Sequence, residues 1–334
     1  MWPRKMEPPL FTQEELSLPQ KVQNNSWDNI KKKIQKDDFR KALENLIDKP
    51  EIDQFFISLE NADEKDFFKK ERPSLQRDLS LFFDANKEVV EAYLQFLDYP
   101  IFVDTENFDF KSRQSSQNLF SLIQLSKIGH LYLFQKIQAG HWEEVHQLLL
   151  KQMRFLIQWN LTTRSFASSL IALKAFSLQI SYLTHLYPYY PQEKWKEIVV
   201  ELKSIPWEKI NAQRSLQFEY LSLESFLQEL AKLQSENLIN LDSGNRLFFS
   251  PELTQKSLNQ YYRYLLQLDK KPELFKSKKN LEYKVVNTES PFWFLVNPTG
   301  KMILSPSQTY LFVLRNFHQQ KEALLKRTQK LIAE

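Results

Sequence analysis

Two histidines flanking a pair of glutamates, His141-Trp-Glu-Glu-Val-His146, are the residues here whose types most resemble a reaction centre. Zinc-binding histidines on a helix stand four residues apart, so that both rings face one way. These stand five apart, and at 3.6 residues per turn they diverge by about 140°. The stretch reads better as a helix start with two acidic residues near the positive end of the helix dipole, and no metal is expected. The catalytic candidates are Glu219 and Glu224, in "LQFEYLSLESFL". Paired carboxylates can act as general acid and base, but this pair is also five apart on a helix. A buried glutamate paired with Arg164 or Arg214 is the structural alternative.

A third stretch, "WFLVNPTGKMIL", places Gly300 beside Lys301. A phosphate-binding loop needs Gly-x-x-x-x-Gly-Lys-Ser/Thr between a strand and a helix. Met302 follows Lys301, and Leu295 stands where the first glycine belongs. The backbone cannot wrap a phosphate in that way. Asn297, Pro298, Thr299 and Gly300 read instead as a turn with Gly300 at positive φ. No Gly-x-Ser-x-Gly elbow occurs and the histidines are scattered, so nothing in the spacing marks a hydrolytic triad. No cofactor is expected.

Any such residues must be positioned by helices. The chain has 334 residues, four of them glycine, and no cysteine. Gly supplies the positive-φ positions of hairpins and nucleotide loops, while Leu, Gln, Glu and Lys favour helices. The expected fold is all-α, an irregular array of roughly ten antiparallel helices joined by short loops. Without cysteine there are no disulfides and no thiolate chemistry. A net charge of +4 is too small to predict nucleic acid binding. No apolar run reaches the roughly 18 residues of a membrane span.

The first 25 residues carry Pro3, Pro8, Pro9 and Pro19 without helical period, and read as an extended tail or juxtamembrane linker. Residues 26–110 read as a small N-terminal helical subdomain, with 101–116 a connector. Within it, Asp37 or Asp38 can cap "FRKALENLI", and one longer segment runs from Ser74 to Pro100 with Leu75, Leu79, Phe82, Val89, Tyr93 and Phe96 on one side. Residues 111–334 read as the main domain. Gly129 falls mid-helix, a cost that close helix approach would offset, and Gly140 reads as a helix C-cap. In the helix near 163–186, Ser168, Ala172 and Ala175 form a small-residue row. Helices follow near 192–203 and 207–234. Residues 237–249 suggest a small β-hairpin, Pro251 opens a helix, and the last helix covers about 307–332.

"GHWEEV" also resembles a tetratricopeptide repeat, but the period does not recur, and one unit is only a helical hairpin. A broader pattern spans residues 115–315. Gly140, Leu170–Ile171, Glu219 or Glu224, Phe249–Pro251–Thr254 and the corner Asn297-Pro298-x-Gly300-Lys301 follow in order. It resembles a large uncharacterised family of all-helical bacterial envelope proteins. The apolar run after the corner departs from the family pattern at Ser305 and Pro306. The resemblance implies a periplasmic domain behind a single N-terminal anchor, which would lie upstream of Met1. It carries no activity. The expectation is a non-enzymatic, envelope-associated scaffold whose partner is a protein, with membrane contact only through such an anchor and no nucleic acid partner. A cytoplasmic location, a hydrolase using Glu219 or Glu224, and a binder of lipid or another apolar ligand stay open as alternatives.

Overall fold

Leu-, Gln-, Glu- and Lys-rich sequence stays helical until a specific residue stops it, and the boundaries of this fold lie at such residues. A computed structural model of the protein describes residues 9–11, 36–60, 67–69, 72–98, 115–163, 166–235, 251–276 and 307–333. Among them are eleven α-helices, two short 3-10 turns and no strand. The chain is therefore all-α. The hairpin expected at 237–249 and the corner at Asn297, Pro298, Gly300 and Lys301 lie outside the described residues, as does Arg164.

The helices are α1 (Asp37–Ile47), α2 (Pro50–Glu60), α3 (Pro73–Ala85), α4 (Lys87–Leu97), α5 (Ser115–Gln138), α6 (Trp142–Thr162), α7 (Phe166–Leu186), α8 (Gln192–Lys203), α9 (Gln213–Ser235), α10 (Pro251–Lys270) and α11 (Ser307–Ala333). Proline occupies the first position of α2, α3 and α10, where its missing N–H costs nothing. Asp37 and Asp38 lie inside the first turn of α1 rather than at its cap.

The segment expected to run unbroken from Ser74 divides at Asn86. The Asn86 side chain donates to the Phe82 carbonyl at 2.7 Å, and its backbone N–H reaches Phe83 O at 3.3 Å. A short amide that competes for backbone groups ends α3 there. Similarly, α9 starts at Gln213 rather than near 207, because Asn211 Oδ1 accepts the Gln213 N–H at 3.1 Å.

The chain forms two units. The smaller contains Met1–Gln20, Arg164–Phe166 and Asn211–Gln319, and the larger contains Lys21–Thr163, Ala167–Ile210 and Gln320–Glu334. Aromatic rings fill the larger one. Phe55 on α2 meets Phe134 on α5 and Phe67 at 5.1 Å each. Phe68 meets Tyr182 on α7 at 5.1 Å, and Phe83 on α3 meets Tyr132 on α5 at 5.3 Å. All but the tilted Phe55–Phe67 pair are edge-to-face, and such pairs add about 0.5–1.5 kcal/mol each beyond the area they bury. The Arg72 guanidinium lies 4.7 Å over the Phe67 ring. The small-residue row of α7 does receive a neighbour. Trp159 Nε1 of α6 donates to Ser168 Oγ at 3.3 Å, and Asn160 Nδ2 donates to the Ala172 carbonyl at 3.2 Å.

Two glycines act for different reasons. Gly140 has φ of +74°, and nothing lies within 4 Å of where a Cβ would stand. The backbone alone requires glycine there. Gly140 N–H and His141 N–H return to Ile137 O and Lys136 O, closing α5 in a Schellman motif. Gly129 is helical, and space requires it. A Cβ would collide with the Tyr93 hydroxyl and stand 2.6 Å from Gln152 Nε2. Those two groups are buried and bonded to each other at 2.9 Å, tying α4 to α6 across the face of α5.

Gly129→Ala should therefore destabilise the protein by about 1–3 kcal/mol despite alanine's better helix propensity. Tyr93→Phe in the same chain should recover part of the loss by removing the clashing oxygen. Urea unfolding of the single and double variants measures both effects.

Candidate functional site

Glu219 and Glu224 both lie on α9 and do not share a partner. Glu219 is half-buried and accepts the Tyr310 hydroxyl of α11 at 2.9 Å, together with the Phe166 backbone N–H. Among the described residues its partners are thus a hydroxyl and an amide. Glu224 is buried and accepts from Gln228, one turn on along the same helix. Burial pushes both carboxyls above their ordinary value, against the pull of these hydrogen bonds. In turn, burial pushes the Tyr310 phenol up, and the neighbouring Glu219 charge adds to the effect.

The tyrosine beside Glu219 is the hub of the smaller unit. The Tyr220 hydroxyl donates to Asn259 Oδ1 at 2.6 Å and accepts from Gln255 Nε2 at 2.8 Å and from the Leu10 backbone N–H at 2.7 Å. Its ring packs edge-on against Tyr262 at 5.3 Å and against Phe11 at 5.2 Å. Tyr262 also neighbours Tyr261 and Tyr310. Burial raises the Tyr220 phenol to about 12. This hub joins residues far apart in the chain, and sequence spacing carried no sign of it.

The same unit holds an acid–histidine pair that sequence inspection also missed. Asp269 near the end of α10 accepts His318 Nε2 of α11 at 3.0 Å and the Ala212 N–H at 3.2 Å. Both side chains are largely buried. An oriented histidine is two-thirds of a hydrolytic triad, but among the described residues the hydrogen bonds of His318 go to Asp269 alone. The pair ties three elements together.

In the larger unit the two candidate metal-ligating histidines separate as their spacing requires. His141 is half-exposed at the entrance of α6, with Nδ1 3.7 Å from Glu144. His146 is buried, with Nδ1 2.7 Å from the Tyr190 hydroxyl and Nε2 3.1 Å from Glu197. Among the described residues no group of three or more His, Asp or Glu converges in a way that could hold a metal ion. Deeper inside, His130 donates Nδ1–H to the Ser126 carbonyl at 2.7 Å. Its Nε2 and both amide atoms of Gln179, which faces it, are buried without a hydrogen bond.

Two depressions open on the larger unit. A cleft of about 400 Å³ lies among α3, α4 and α5. Phe83 and Tyr132 contribute rings to it, and Lys136 lies 5.4 Å over the Tyr132 ring while bonded to Glu144 at 2.6 Å. Its size matches ligand sites, but Asp84, Lys87, Glu91 and His141 also line it, so its walls do not suit a purely apolar molecule. A groove of about 270 Å³ lies among α2, α5 and α7, walled by Phe56, Ile57, Ile171, Ala175 and Leu178. Ile57 is 55% exposed in it. Lys127 covers the Phe56 ring at 5.2 Å, and Lys174 bonds Glu60 at 2.8 Å on the rim.

The buried groups generate opposite pH dependences. Desolvation lowers His130 from 6.5 to about 4, with the hydrogen bond to the Ser126 carbonyl opposing. The unfolded chain binds a proton in that window and the fold does not. Stability is therefore lost as pH falls from 6.5 to 4, by about 3 kcal/mol in full. Denaturant titrations across this range should show the loss, and His130→Gln should flatten it. Glu219 has a raised folded value, so its contribution runs the other way and weakens the fold as pH rises past 4.5. Glu219→Gln should be more stable than the wild type at pH 7 and equal to it below pH 4.5 in the same titrations.

Comparison with protein-family models, with curated proteins and with solved structures finds no match for this chain.

Proposed function

We propose that this protein is a non-enzymatic interaction domain whose larger unit receives a protein partner, and that it works at the bacterial envelope. The groove among α2, α5 and α7 carries the reading. Two helices, α2 and α7, present apolar walls there, and Ile57 remains in water although the adjoining Phe56 is buried. At about 270 Å³ the groove lies just under the roughly 300 Å³ at which small-molecule sites begin. It is of a size to accept one or two protruding side chains. Its rim carries both signs of charge, Lys127 and Lys174 against Asp53 and Glu60. The fitting occupant is the apolar ridge of an amphipathic partner helix flanked by mixed charges.

The envelope location rests on the resemblance at the Asn297-Pro298-x-Gly300-Lys301 corner and on Gly140. Among the described residues no helix is long and apolar enough to cross a membrane. Membrane attachment would therefore come from an anchor outside these residues. The hydrolase alternative needs Glu219 or Glu224 free to meet a substrate in a cleft. Their separate engagement with Tyr310 and Gln228 favours structural roles.

A photo-crosslinking residue at position 57 should capture a discrete protein from envelope fractions, and the same residue at exposed position 200 on α8 should not. Ile57→Glu, which adds charge without disturbing the core, should abolish association with the captured protein. Absence of any adduct at position 57 would reject the groove as a docking site. Capture from cytosolic fractions alone would reject the location.

A further inference from the structure

The Tyr220 hydroxyl has one proton to give and two lone pairs to fill. Asn259 takes the proton and Gln255 fills one lone pair. The second is filled by a backbone N–H from 210 residues earlier in the chain, that of Leu10. Tyr220, Gln255 and Asn259 are all essentially without solvent exposure. Gln255 and Asn259 stand one turn apart on α10 and bond to each other at 3.1 Å. Neighbouring helices thus build a rigid acceptor for one peptide N–H, and Phe11 lies buried against the Tyr220 ring beside it.

The seat has more hydrogen-bonding capacity than Leu10 uses. Gln255 Oε1 and the Tyr262 hydroxyl are buried there without partners, one a spare acceptor and the other a spare donor. A buried polar group left without a partner is costly. An extended peptide carries N–H and C=O groups that could meet both. The present occupant also has the composition of a recognition segment. Pro8 and Pro9 precede Leu10-Phe11, they favour extended backbone, and Pro9 lacks an N–H. Proline narrows the conformations open to the free segment, so it loses less entropy on docking, and Leu10 and Phe11 then turn in a bend at the seat.

We propose that Tyr220, Gln255 and Asn259 form a peptide-recognition site occupied in cis by Leu10–Phe11. It takes from a partner protein a segment in which prolines precede an apolar–aromatic pair, bent at that pair as Leu10 and Phe11 are. The chain's own segment is then a built-in competitor, present at the high effective concentration of any tethered ligand. This deepens the interaction-domain reading but uses none of the groove residues around Ile57, so either proposal can fail alone.

The probe is a fluorescent peptide copying Met6–Glu14, measured by anisotropy against the full chain. Phe11→Ala, which weakens the internal competitor, should bind the peptide at least tenfold more tightly than the wild type. A peptide with alanine in place of its phenylalanine should bind that variant at least tenfold more weakly. Tyr220→Phe added to Phe11→Ala should also weaken binding. Equal binding by the wild type and a folded Phe11→Ala chain would overturn the proposal. If Phe11→Ala loses its helical circular dichroism, amide exchange on the wild type decides. Excess peptide should accelerate exchange of the Leu10 N–H, and an unchanged rate would overturn the proposal.

Discussion

Where the aromatic packing draws a polar group inward, a hydrogen bond to a neighbouring element fixes how the helices meet at several places in both units. Rings such as Phe55, Phe67 and Phe134 need only neighbours. Tyr93, His146, Tyr220 and Tyr310 bring an oxygen or a nitrogen with them, and burial without a bond is costly. The Tyr93–Gln152 bond fixes where α4 and α6 stand over Gly129. His146 bridges Tyr190 and Glu197 and so fixes α8 on α6. Tyr310 and Glu219 do the same for α9 and α11. The rings supply the burial energy, and the hydrogen bonds choose among the ways the helices could pack.

Much of the architecture can be read from local spacing, because helix formation is local. The scarcity of glycine, the proline at the first position of α10 and Gly140 closing α5 each act within a few residues. Gly129 was recognisable as a place of close approach, although the approaching groups, Tyr93 and Gln152, were not. The breaks at Asn86 and ahead of Gln213 depend on single asparagine amides, which periodic patterns do not register.

The site was far less legible. The spacing of Glu219 and Glu224 showed that they diverge, and it showed His141 and His146 doing so too. It could not show what each meets. Leu10 and Tyr220 lie 210 residues apart in the chain, and the partners Glu219 and Tyr310 lie 91 apart. Asp269 and His318 are also distant in sequence. No periodicity links such positions, so only the folded geometry brings them together. A proline-rich opening stretch reads as linker by composition, yet Phe11 within it is buried against an aromatic ring.

The Asp269 carboxylate, held at the end of α10, is shared between the Ala212 amide and the His318 ring. Fraying at any one of these places withdraws a bond that the other two rely on, because a single oxygen serves both donors. The start of α9, the end of α10 and the middle of α11 are thereby coupled into one opening event. Thermal breathing at these three places should be all-or-none, although they lie far apart along the polymer.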